Sequence, residues 1–137
     1  MNTINTNGID VAVTINGRPA RTYLHEGKYF IESREGTEYS ITIKNNNWHR
    51  VEAVVAVDGL SVITGKTASK KDSGYIINAL GDLVIKGFRK DMDEVGAFKF
   101  TKKETSYAAT KGKSDNVGVI AVAIYKEVTK FNYGTLL

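Results

Sequence analysis

Four separate stretches of this chain place apolar side chains at every second residue, and none carries the i, i+3, i+4, i+7 stripe of an amphipathic helix over two turns. In IDVAVTI, Ile9, Val11, Val13 and Ile15 share one face of an extended segment. In TEYSITIKN, Tyr39, Ile41 and Ile43 oppose Glu38, Ser40, Thr42 and Lys44, the pattern of a half-buried strand. Residues 49–66, HRVEAVVAVDGLSVITGK, set Val51, Ala53, Val55 and Val57 against Glu52, Val54, Ala56 and Asp58. NVGVIAVAIYKEV sets Val117, Val119, Ala121, Ala123 and Tyr125 against Gly118, Ile120, Val122, Ile124 and Lys126. The last two stretches are apolar on both faces, which predicts two strands inside their sheets, with the Val51 stretch central.

Turn chemistry punctuates these strands. Asn16 and Gly17, Glu26 and Gly27, Glu35 and Gly36, and Asp58 and Gly59 each supply residues tolerant of positive φ, which tight reversals require. Pro19 cannot donate to a ladder, so the return limb after Gly17 is expected to start at a sheet edge. The five residues from Asn45 to His49 suggest an antiparallel pairing of the strands on either side. Further short strands are expected at Leu60 to Ile63, Tyr75 to Asn78, Asp82 to Lys86 and Val95 to Lys103, with an exposed loop over residues 66–74. The expectation is an all-β antiparallel sandwich, jelly-roll or Ig-like, of about eight to ten strands. Residues 1–8 read as a flexible N-terminal arm, 9–128 as the sandwich domain and 129–137 as a C-terminal tail.

Composition narrows the chemistry. With 137 residues, 42% of them apolar, one domain can bury a core without staples. Cysteine is absent, which removes disulfides, thiolate metal sites and cysteine nucleophiles together. No apolar run approaches the ~18 residues of a membrane helix, and MNTINTNGID lacks the make-up of a secretory signal. No membrane partner is expected. The net charge of +4 gathers in residues 86–113, where eight Lys/Arg stand against four Asp/Glu, a density that fits a solvated lysine surface better than a nucleic-acid tract.

Each candidate reactive site fails on spacing. Gly65, Lys66 and Thr67 end like a phosphate loop, but Gly59 lies five intervening residues before Gly65 where four are needed, and no long helix follows. His25 and His49 cannot make a three-histidine zinc site. Ser61 or Ser73 with His49 and Asp58 lacks a nucleophile elbow. Asp91, Asp93 and Glu94 lack the alternation of a calcium loop. Glu52 and Asp58 on one strand face stand about 20 Å apart, outside the ~5–9.5 Å of glycosidase carboxylates. Phe98 and Phe100, which could stack on bases beside Lys99, alternate with it and are expected in the core. No catalytic, cofactor or metal residue remains, and a non-enzymatic role is expected. Aromatic and apolar residues in loops and at the tail, Trp48, Tyr107, Phe131, Tyr133, Leu136 and Leu137, are the candidate partner-binding set.

The run RVEAVVAVDGLSVITGK, followed by SGYII, the triplet Gly87, Phe88 and Arg89, then AFKF, SYA and NVGVIAVAIY, resembles a small β-domain family of tailed phages and bacterial genomes. The similarity spans about residues 9–127, with phenylalanine at position 88 where tryptophan is commoner in the family. It carries over no catalytic residue. It implies a virion-associated β-domain and leaves its location on the virion open. The leading expectation is a capsid decoration or cement protein assembled in the host cytoplasm, whose partners are the major capsid protein, other virion proteins or copies of itself. A tail, neck or fibre-associated module is the alternative location. A glycan- or nucleic-acid-binding sandwich is the alternative outside the virion.

Overall fold

A computed structural model describes residues 2–69, 71–89, 95–100 and 118–127, and the described part is all β. Its strands are β1 (Ile4–Thr6), β2 (Ile9–Ile15), β3 (Arg18–Pro19), β4 (Thr22–His25), β5 (Lys28–Ile31), β6 (Glu38–Asn45) and β7 (Val51–Val57). There follow β8 (Leu60–Ser61), β9 (Tyr75–Ile77), β10 (Asp82–Ile85), β11 (Gly87–Arg89), β12 (Val95–Lys99) and β13 (Ile120–Lys126). The first sheet runs β1-β2-β6-β12-β11, with β10 also on β6 and β3 also on β2. The second runs β13-β7-β8, with β9 also on β7, and β4 and β5 form a separate two-stranded ribbon. Every pairing is antiparallel.

The period-two pattern decides which faces meet. Ile9, Val13, Tyr39, Ile41, Ile43, Ile85 and Phe98 from the first sheet pack into one cluster with Val51, Ala53, Val55, Val57, Leu60 and Ile77 from the second. The result is sandwich-like. Tyr39 stacks on Phe98 and Phe100 at 5.4 and 4.3 Å between centroids, and Phe88 meets Phe98 edge-on at 5.2 Å. The two phenylalanines of AFKF therefore belong to the interior, as their alternation with Lys99 requires.

The reversals sit where the turn residues predict. Asn16 and Gly17 have φ of 52° and 78°, Glu26 and Gly27 50° and 76°, Asp58 and Gly59 56° and 78°. In each, two central residues with positive φ match the twist of the flanking strands. Gly87 serves a different need, since a Cβ there would lie 2.2 Å from the Gly96 carbonyl oxygen.

Two expectations need correction. Ile4–Thr6 is not part of a loose arm: it is β1, paired with β2 across an Asn7–Gly8 turn whose φ values are 50° and 78°. β6 and β7 do not pair with each other; β6 lies in the first sheet and β7 in the second. The connection between them contains no positive-φ residue, and Asn45, the last residue of β6, is fully buried where it begins. Asn45 Nδ2 donates to the carbonyls of His49 at 2.8 Å and Asn78 at 3.1 Å, and its Oδ1 accepts from the Asn47 amide at 3.0 Å. These bonds hold the chain in a crossing between sheets instead of a hairpin. β7 is central, flanked by β13 on one side and by β8 and β9 on the other. Ile120, Val122 and Ile124 of β13 pack against the core, and Val119 and Ala121 are exposed.

Candidate partner-binding groove

Among the described residues, β13 and the β1–β2 side of the first sheet border a groove of about 1330 Å³. Ile4, Ile9, Val11 and Val13 line it from one sheet, and Ile120, Val122 and Ile124 from the other. These are the inner faces of two alternating strands, so the lining follows directly from the sequence pattern. Asn47, His49, Val51 and Lys126 lie at one end, where Val51 pairs with Lys126. Asp58, Gly118 and Ile120 lie at the other, where Ile120 pairs with Val57.

The ribbon β4–β5 contributes Tyr29, Phe30 and Ile31 to the groove. Tyr23, Leu24, Tyr29 and Phe30 are each about half exposed, at 46%, 54%, 46% and 52%. Sequence reasoning missed this surface, although a signal was present. TYLH and KYFI carry large apolar residues side by side instead of alternately, so a ribbon made from them has apolar groups on both faces. A ribbon that belongs to neither sheet cannot cover both. The Arg21 guanidinium lies 5.4 Å from the Tyr23 ring centroid, a cation–π contact on the exposed side.

At one end of the molecule Trp48 is 85% exposed, and Leu80, whose amide donates to the Asn47 carbonyl, is 49% exposed. Of the candidate partner-binding residues, Trp48 is thus placed on the surface. Tyr107, Phe131, Tyr133, Leu136 and Leu137 lie outside the described residues. The adjacent Arg50 guanidinium forms a two-pronged pair with the Glu127 carboxylate, one prong being Nε to Oε2 at 3.0 Å. The pair's hydrogen bonding and charge hold Glu127 below the usual carboxylate range. Asp10 is likewise lowered, first by a hydrogen bond from Asn5 at 2.6 Å and then by one from Asn46 at 2.8 Å.

The side chains tested for chemistry occupy structural positions. Ser61 is buried, and its Oγ accepts from the amides of Ile63 and Thr64 at 3.2 and 3.3 Å, which shapes the turn after β8. Asp58 Oδ1 accepts from the Gly118 amide at 2.7 Å, and Glu52 from the Gly74 amide at 3.1 Å, at opposite ends of β7. Thr67 forms a bridge with Leu60 and opens no helix. His49 Nδ1 lies 3.1 Å from its neighbour's carbonyl, and His25 sits on an exposed turn beside Glu26. Among the described residues no three His, Cys, Asp or Glu gather as metal ligands. Asp91, Asp93 and Glu94 lie outside the described residues. Among the described residues lining the groove, Tyr39 has a strongly moved equilibrium: burial, and then the charge of Asp58, push its phenol well above the usual range. That keeps it neutral. It is a packing residue.

The chain matches no protein-family profile, no curated protein and no solved structure.

Proposed function

We propose that this chain is a non-enzymatic structural protein of a phage virion, a decoration protein that acts by binding the assembled head lattice. The observation that supports contact as its mode of action is the half-exposed ribbon Tyr23, Leu24, Tyr29 and Phe30 beside an apolar groove. Large aromatic side chains on a surface cost solubility when uncovered, and they supply most of the binding energy when a partner covers them. The virion as the setting rests on the family resemblance of the strand motifs described above, which also leaves a tail, neck or fibre position as the neighbouring reading.

The test is direct. Purified protein is mixed with undecorated heads and sedimented. Co-sedimentation that saturates at a fixed copy number per head is the expected result, and protein left wholly in the supernatant sinks the proposal. Gold-labelled protein imaged on complete virions separates head from tail, and an oligosaccharide array and a salt-titrated single-stranded DNA binding assay address the glycan and nucleic-acid alternatives.

A further inference from the structure

Asn7–Gly8 and Asn16–Gly17 are a matched pair. Both are two-residue reversals, with φ of 50° and 78° at the first and 52° and 78° at the second. Their surroundings differ. The Asn7 carbonyl accepts from Asn47 Nδ2 at 3.1 Å, and the Gly8 carbonyl from the Asn46 amide at 2.9 Å. A Cβ on Gly8 would lie 2.6 Å from Asn47 Oδ1, so that side chain sits directly against the turn. Asn16 and Gly17 are both exposed, and among the described residues nothing lies within 4 Å of a Cβ placed on Gly17. The limb beyond this second turn is short. Arg18 pairs with Ile15, but Pro19 has no N–H to give, and the next tie is the Ala20 amide on the Val13 carbonyl at 2.7 Å.

We infer that Asn16 is a site of spontaneous covalent modification, conversion to aspartyl and isoaspartyl residues through a cyclic imide, and that Asn7 is the same chemical site held closed. The Gly17 backbone nitrogen attacks Asn16 Cγ; a C–N bond forms, the C–NH2 bond breaks, and ammonia leaves with the displaced proton. Water then opens the imide. Cleavage at the Cγ side gives aspartate, and cleavage at the main-chain carbonyl gives isoaspartate, with no oxidant or reductant consumed. Glycine favours the attack because no side chain obstructs its nitrogen. Ring closure takes the asparagine out of the left-handed conformation, so each site reacts through a locally opened turn. Opening at Asn16 breaks the Ile15–Arg18 pairing alone, whereas opening at Asn7 also breaks the bonds from Asn46 and Asn47.

Each conversion replaces a neutral amide by a carboxylate and lowers the net charge of +4 by one. The isoaspartyl product also lengthens the main chain by a methylene at a turn whose register rests on two residues. This goes beyond the proposed function and concerns the purified chain alone, so it stands or falls apart from head binding.

The full-length chain is incubated in mildly alkaline buffer, natively and in urea, and conversion is followed by tandem mass spectrometry, with isoaspartyl methyltransferase labelling to identify the product. In the native chain Asn16 should convert at least about tenfold faster than Asn7, because two additional hydrogen bonds make the Asn7 turn open more rarely. In urea the two should convert at similar rates. A native ratio no larger than the urea ratio overturns the inference. So does an Asn16 that stays intact natively over the interval in which the unfolded chain converts. Asn47→Ala should accelerate Asn7 about fivefold and leave Asn16 unchanged; an unchanged Asn7, or both sites rising together, overturns the clamp. Asn16→Gly keeps a residue suited to positive φ, and it should abolish the main acidic variant on ion exchange. Persistence of that variant also overturns the assignment.

Discussion

Replacing Asn45 by alanine tests the account of how one strand passes from the first sheet to the second. Asn45 is fully buried, and its amide satisfies the carbonyls of His49 and Asn78 and the backbone N–H of Asn47. Alanine removes all three bonds, but the Asn78 carbonyl still accepts from the Gly81 amide at 2.9 Å. The His49 carbonyl and the Asn47 amide are left without that partner, and an orphaned buried polar group costs about 1–3 kcal/mol. Because the bonds reach toward a part-buried loop, the low end applies to each, and the sum is about 2 kcal/mol. Unfolding entropy of about 2.1 cal/mol/K per residue over 137 residues gives about 0.29 kcal/mol/K, so Tm should fall by about 7 °C. Urea denaturation should show the same loss as a lower midpoint at unchanged slope. Asn45→Asp sharpens the test. It keeps the acceptor for Asn47, loses both donors and turns a carboxylate toward two carbonyl oxygens, so at pH 7 it should cost more than alanine. Burial raises that carboxyl's folded pKa above its unfolded value, so the penalty should shrink as pH falls toward the ordinary carboxylate range. An alanine variant within about 1 kcal/mol of the natural chain would refute the bridging role. So would an aspartate variant that matches alanine at neutral pH.

Gly87→Ala should destabilise the β11–β12 pair by at least about 2 kcal/mol in urea titration, because its Cβ would sit 2.2 Å from a backbone oxygen of Gly96. Gly27→Ala, where φ is 76° but nothing lies within 4 Å, should cost only about 1 kcal/mol of backbone strain. Tyr39 has a folded pKa raised above its unfolded value, so its contribution is whole below the phenol's ordinary pKa and is lost as pH climbs through and past it. Tyr39→Phe should therefore flatten the alkaline fall in stability, as followed by circular dichroism. Trp48→Ala removes a side chain that is 85% exposed and should leave Tm within about 2 °C of the natural value. Its effect, if Trp48 meets a partner, appears as weaker co-sedimentation with heads.

Local patterning carried most of the fold. β2 at Ile9–Ile15, the buried side of β6 at Tyr39, Ile41 and Ile43, and the β7–β8 turn at Asp58 and Gly59 lie where alternation and turn chemistry place them. What alternation could not convey is which sheet each strand joins. An apolar face looks the same whether its neighbour in sequence lies beside it or opposite it. The β6–β7 crossing depends on Asn45, which reads as one more polar loop residue until its three carbonyl and amide partners are brought together. The groove followed from neither strand alone. Of the partner-binding residues named from sequence, Trp48 alone lies among the described residues, and the ribbon aromatics were not among them.

The pairing of β13 with β7 also sets a timetable. β7 ends at Val57 and β13 begins at Ile120, so nearly half the chain must be synthesised between one partner and the other. Closing so long a segment carries an entropic cost that no local contact offsets beforehand, which slows folding. On the ribosome, Val51–Val57 waits with one edge bare until Ile120–Lys126 emerges. During that interval it is the segment most exposed to pairing with the wrong strand, its own copy on a neighbouring ribosome included. Overproduced protein should therefore aggregate through residues 51–57, and slowing synthesis or lowering temperature should raise the soluble fraction.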